Sequence, residues 1–184
     1  MVERARLRSF LTGMALMAIV ATLVLLNGRW ALRNCEQLRP PRAGAASPVF
    51  SLPTPAGQRV ALSDLRGKVV LLDFWASWCT VCMRKMPDIE KLQAELGPRG
   101  LTVLAINVEG DAKIVEQVAK RRGSKLTMLV DDGSAAASYG VQSLPHLVIV
   151  DRHGRLVHVQ TGGGRQGTLR RAVLAALQAP GPQS

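Results

Sequence analysis

KVVLLDFWASWCTVCMRKMP, Lys68–Pro87, joins a nearly unbroken apolar run to two cysteines that stand two residues apart. Only Asp73 interrupts the run Val69–Ala76, the pattern of a strand covered on both faces. Beyond the cysteines, Met83, Met86, Ile89, Leu92 and Leu96 recur at spacings of three and four, which predicts a helix from about Thr80 to Leu96 with one buried stripe, ended by Gly97-Pro98. Cys79 therefore falls at a strand-to-helix junction near the helix N-cap, with Cys82 in the first turn.

Working outward, FSLP and RVAL flank the turn Pro55-Ala56-Gly57, and Ser63 is placed to cap a helical turn that Gly67 ends. LTVLAINV is a second buried strand. The helix after it has Asp111 as N-cap, Ile114, Val115 and Val118 inside, and Gly123 as its stop. LTMLVDD, a short helix to Tyr139, the hairpin LVIVD–RLVHVQT around Arg152-His153-Gly154, and a last helix from about Thr168 complete the chain. Strands alternating with helices and closing in a hairpin and helix imply a mixed sheet covered on both faces. The site of such a sheet lies past the carboxyl ends of its parallel strands, where Cys79 stands.

The N-terminus has a different character. No charge occurs between Arg8 and Arg29, and the 20 residues SFLTGMALMAIVATLVLLNG suffice for a helix to cross ~30 Å of hydrocarbon. We expect a basic leader (1–8), a transmembrane anchor (9–28), a linker (29–46), one folded domain (47–178) and a flexible tail (179–184). A cleaved signal peptide is the rival reading, but no small-x-small site closes the apolar run. Trp30 would sit in an interfacial belt, and Cys35 reads as an unpaired juxtamembrane thiol, Asn34 before it being unsuited to a lipid attachment site. Arginines on both flanks leave the orientation undecided by charge.

The net charge of +11 invites a nucleic-acid reading. Residues 1–42 contribute seven arginines against two glutamates, however, which leaves +6 for the rest. Those cations are scattered apart from Lys120-Arg121-Arg122 at a helix end, and aromatic residues for stacking bases make up only 4%. No nucleic-acid partner is expected.

Two cysteines in this pattern can be a redox pair, half of a metal site, or core. A structural zinc site needs four ligands, and neither a second CxxC nor paired spacing of His146, His153 and His158 supplies them. Inert core thiols seldom arrive as WCxxC at a strand end. A redox pair fits best: unpaired amides and the positive dipole end stabilise the Cys79 thiolate for attack on a disulfide, and Cys82 then resolves the mixed disulfide.

KVVLLDFWASWCTVC followed by Pro87, and YGVQSLPHLVIVDRHGRLV, resemble the membrane-anchored thioredoxin-fold disulfide reductases of the TlpA/ResA type. PVFSLPTPAGQRVALSDLRGK is similar to that group's entry into the fold, and the likeness covers about Ser47 to Gln178. It implies an α/β thioredoxin-like mixed sheet with helices on both faces, preceded by one transmembrane helix. Cys79 would be the exposed nucleophile and Cys82 the buried resolving thiol. Leu144-Pro145 would be cis and face them, leaving the backbone there available to a substrate strand. Trp78, Thr80, Val81 and Leu144 would meet substrate, with Trp75 and Trp78 packed under and beside the site and Pro87 in support. Asp73, desolvated in its apolar run, would exchange protons with Cys82.

Lys85 stands where many relatives carry glutamate; a cation there favours thiolate rather than taking up protons. Glu109 could bring a replacement carboxylate to the same edge, although a surface loop acid is the plainer reading. The resemblance further implies a monomer in the inner membrane with its catalytic domain on the periplasmic side. Its substrates would be protein disulfides, apocytochrome c among them, and its electron donor a membrane thiol transporter. No cofactor beyond the Cys79–Cys82 disulfide, and no metal, is expected. Two competing classes fit less well: a peroxiredoxin-like peroxidase would present its cysteine after a Pro and Thr turn, and a copper carrier would want CxxxC and a partner histidine.

Overall fold

The computed structural model describes residues 14–29, 42–164 and 167–181. The chain divides into two units, Met1–Arg39 and Pro40–Ser184. In the first, residues 14–29 form helix α1. Among the described residues no helix is long and apolar enough to cross a membrane. The expected anchor begins at residue 9, and that start, like Trp30 and Cys35, lies outside the described residues.

In the second unit a short antiparallel pair, β1 (Ser51–Pro53) and β2 (Arg59–Ala61), precedes a five-stranded sheet. That sheet comprises β3 (Val69–Trp75), β4 (Leu101–Asn107), β5 (Thr127–Val130), β6 (His146–Val150) and β7 (Leu156–Thr161), in the order β5-β4-β3-β6-β7. β3, β4 and β5 run parallel, whereas β6 and β7 pair antiparallel. The helices are α2 (Thr80–Leu96), α3 (Ala112–Arg122), α4 (Ser134–Ser138) and α5 (Thr168–Gln178). The mixed sheet with helices on both faces is the architecture that the alternating strand and helix patterns imply.

β3 is buried at every position, so its alternating side chains build two cores. Val69, Leu71 and Trp75 join Met86 and Ile89 of α2, Val115 of α3 and Val173 of α5 on one face. Val70, Leu72 and Phe74 join Leu62, Ala135 and Tyr139 on the other. The register pairs Asp73 with Ala105 and Leu147, both members of the first core, so the carboxyl belongs to the face that α2 covers.

Two local expectations are corrected. Ser63 lies inside the 3-10 turn Leu62–Leu65, whose N-cap is Ala61, and its hydroxyl bonds Asp64 rather than a backbone amide. Met83 is half-buried, and Cys82 takes the buried position on the α2 stripe instead. Of the two tryptophans near the cysteines, Trp75 is fully buried and Trp78, next to Cys79 in the chain, is 70% exposed. At the domain's entry, Ala46 bridges Arg155, and Leu156 donates to Ala45 at 2.9 Å, so the chain joins the start of β7 before it reaches β1.

Candidate active site

β3 ends at Trp75, and the loop 76–79 turns the chain into α2 with Cys79 as the N-cap. Cys79 Sγ accepts the amide of Cys82 at 3.1 Å, and the Cys79 carbonyl accepts Met83 N at 3.0 Å. The sulfur therefore occupies the place a serine oxygen takes in an ordinary N-cap, against amides that have no partner within the helix. Cys79 and Cys82 are joined as a disulfide with Cα atoms 5.2 Å apart. Cys79 keeps 6% of its surface and Cys82 1%, so both are buried in the disulfide, and Cys79, expected to be exposed, is only the less buried of the two.

Asp73 is 1% exposed, and its Oδ1 has no hydrogen-bond partner among the described residues. Burial pushes its pKa up to about 7, opposed by the positive charge of Lys85, which favours the ionised form. Lys85 itself is half-buried on α2, one turn past Cys82, while Thr80 and Pro87 are exposed on the same helix. Pro87 lies within α2 without ending it.

The Leu144–Pro145 peptide is cis. Leu144 packs against both cores, and the Pro145 carbonyl accepts Gly162 N at 2.7 Å, which fixes the loop after β7 to the start of β6. That loop passes close to the dipeptide between the cysteines: a Cβ at Gly163 would stand 3.7 Å from Val81 Cγ1.

Glu109 differs from the surface loop acid suggested by the sequence. It is half-buried at the end of β4 and accepts Ser77 N at 2.5 Å, Ser77 Oγ at 2.9 Å and Asn107 Nδ2 at 3.0 Å. Desolvation works to raise its pKa, but the Ser77 amide and the Asn107 and Ser77 side chains outweigh it and hold the carboxyl below its usual value. Glu109 is thus a fixed anion that fastens the loop before Cys79, and Ser77 and Asn107 are site residues that the motif reading missed. The serine two places before Cys79 was the available signal. His146, next to Pro145, is also newly placed: its ring meets Phe74 edge-on at 6.0 Å, and burial lowers its pKa.

A model of the Redoxin family matches residues 42–177. ResA, a thiol-disulfide oxidoreductase of Halalkalibacterium halodurans, is 34% identical over 66% of this chain and 70% of its own length. The thioredoxin-like protein YneN of Bacillus subtilis is 38% identical over 65% of this chain and 71% of its own. Among solved structures, a putative thiol:disulfide interchange protein DsbE from Chlorobium tepidum is similar at a TM-score of 0.70 and 33% identity, covering 74% of this chain and 99% of that one. The fold is thus thioredoxin-like, and the CxxC pair stands where a strand meets a helix start. By sequence and by architecture, the chain belongs to the Redoxin family and is a thiol-disulfide oxidoreductase.

Proposed function

We propose that the enzyme reduces disulfides of extracytoplasmic proteins, held at the inner membrane by residues 9–28 with its domain on the periplasmic side. The uncharged run between Arg8 and Arg29 supports the anchor. Relatives named thiol-disulfide oxidoreductase ResA support the choice of disulfides as substrates. Apocytochrome c among them, and a membrane thiol transporter as the electron source, follow from the resemblance carried by the WCTVC and Leu144-Pro145 motifs.

The observation that carries the mechanism is Cys79 Sγ in the N-cap position, accepting the Cys82 amide. The reduced Cys79 sulfur, facing the helix dipole, attacks a substrate disulfide as thiolate; one substrate thiol leaves and a mixed disulfide forms. Cys82 gives its proton to Asp73 and displaces the second substrate thiol. Cys79 and Cys82 are then oxidised by two electrons and the substrate is reduced by two. Asp73 suits this step because its pKa of about 7 lets it take up and release a proton near neutrality. Lys85 favours the anionic forms of the same groups. Exposed Trp78 and Thr80, half-buried Val81 and the Leu144-Pro145 backbone face the incoming polypeptide.

Alkylation of the reduced protein with iodoacetamide across pH tests the nucleophile. Cys79 is expected to react at neutral pH at least about tenfold faster than free cysteine, through a thiolate formed well below the usual pKa of about 8.5. Reaction no faster than free cysteine overturns the assignment. Titration against a dithiothreitol or glutathione buffer, followed by Trp75 and Trp78 emission, tests direction: a potential well below the glutathione couple is expected, and one near the strongest protein oxidants overturns it.

A further inference from the structure

A groove of about 430 Å³ runs from the redox site along the junction of α2 and α3. It opens at Ser77, two residues before Cys79, and at Met83, the residue after Cys82. Its floor is apolar, formed by Met83 with Ile114 and Val118, all half-buried. Its far end carries Arg121 and Arg122, and no carboxylate lines it. Two acids stand by its lining residues: Glu109 is engaged by Ser77 and Asn107, and Asp111 caps α3 by accepting the amides of Lys113 and Ile114. Glu116 of α3 is taken by Lys120 at 2.7 Å. Neither arginine makes an ion pair among the described residues, and Arg122 Nε is buried there without a hydrogen-bond partner.

The two cations complement the α3 dipole, but that role needs only their position on the helix and not an apolar groove leading from them to Met83 and Ser77 beside the CxxC pair. From Ile114 to Arg122 the helix advances about 12 Å, at 1.5 Å per residue. Extended polypeptide covers that distance in three to four residues of about 3.3 Å each. Two other large grooves among the described residues lack this combination. The one between α2 and α5, of about 450 Å³, carries both signs of charge, and its Arg170 is bonded to Glu95. The one of about 670 Å³ runs from Pro87 to Pro98, toward the end of α2 remote from the cysteines.

We propose that the α2–α3 groove seats the polypeptide flanking the substrate disulfide, and that Arg121 and Arg122 select substrates with apolar contact residues and carboxylates three to four positions from the reacting cysteine. This rests on the reading of Cys79 as the nucleophile toward protein disulfides. A lipid headgroup shares the anionic chemistry, but the groove's start at Ser77 and Met83, the residues on either side of the CxxC loop, favours a ligand that must reach Cys79.

The test uses the reduced full chain in a neutral detergent. Its substrates are symmetric disulfides of ten-residue peptides with a central Cys and either Glu or Gln three and four positions to each side. At low ionic strength the Glu peptide is expected to react about fivefold faster, the size that two exposed ion pairs supply. The preference is expected to vanish in R121Q/R122Q and above about 0.5 M salt, and to survive in R121K/R122K. The neutral 2-hydroxyethyl disulfide should be reduced at the same rate by all three proteins. No preference in the unmodified protein, or a preference that persists in R121Q/R122Q, overturns the proposal. So does a double variant that keeps the peptide preference while losing binding to phosphatidylglycerol vesicles, which would make the arginines a lipid contact. If even 2-hydroxyethyl disulfide is not reduced, the dithiol reading fails and the groove proposal falls with it.

Discussion

At Asp73 a carboxyl group enclosed by the first core keeps its proton to about pH 7, against an ordinary value of 3.8, and that shift is also a statement about stability. Between these two values the folded state binds more protons than the unfolded state, so this residue's contribution falls as pH rises from about 4 to about 7. Above pH 7 both states are ionised and the folded protein bears the whole cost of the buried charge. A shift of roughly three units corresponds to about 4 kcal/mol at 1.36 kcal/mol per unit. Asp73→Asn, which keeps the shape and removes the charge, should therefore raise the unfolding free energy of the oxidised protein by about that much at pH 8 and by little at pH 4. Urea denaturation at the two pH values checks it, and an equal effect at both would remove the titration from the explanation. The same variant should slow the resolution of a mixed disulfide trapped on Cys79, because Cys82 loses its proton acceptor. Lys85 limits the shift, since a cation near the carboxyl lowers the pH at which it ionises.

The elements that form the site meet because β3 and β4 are parallel neighbours whose ends lie side by side, Trp75 opposite Asn107. Glu109 exploits this by tying the loop before α2 to the strand next door. Removing it strands the Ser77 amide and hydroxyl and the Asn107 amide, so Glu109→Ala should cost about 2 kcal/mol, near the lower end for hydrogen bonds to a charged acceptor at a half-exposed position. Because the folded carboxyl ionises more readily than the unfolded one, its contribution is present above about pH 4.5 and lost as pH falls through the lowered folded value. The gap between variant and parent should narrow on acidification, and a gap constant with pH would refute the ionic character of the brace.

The elements themselves were largely legible in the sequence, since their signals are local: the apolar run of β3, the three-and-four spacing of α2, Asp111 accepting the amides of Lys113 and Ile114, and Gly123 at φ 60° closing α3. The CxxC pair was legible for the same reason. The Ser77–Glu109–Asn107 network was not, because it depends on strand adjacency across 32 residues of sequence.

In the molecule as a whole, the second core is closed by a segment distant in sequence from everything it touches. Residues 44–47 run along the start of β7, and Ser47 then turns its hydroxyl onto Tyr139, whose own hydroxyl also donates to the Pro48 carbonyl at 2.7 Å. Tyr139 is 2% exposed and packs its ring against Phe50 and Phe74, centroids 6.2 and 5.5 Å away, so one side chain joins the entry of the chain, α4 and β3. Its phenol is pushed up to about 12, mainly by burial, and stays protonated as a donor throughout the neutral range. Tyr139→Phe keeps the ring contacts and deletes only the hydroxyl, leaving the buried Ser47 side chain and the Pro48 carbonyl without that partner. Stranding buried polar groups costs roughly 1–3 kcal/mol, so a loss near 2 kcal/mol is expected in urea denaturation. Cleavage by a protease within residues 42–50 should become faster, while the alkylation rate of Cys79, which lies in the first core, stays the same. If stability does not change, the N-terminal segment is held by its backbone pairing with β7 alone. If Cys79 reactivity changes with it, the two cores are coupled through β3 more tightly than their separate side-chain layers imply.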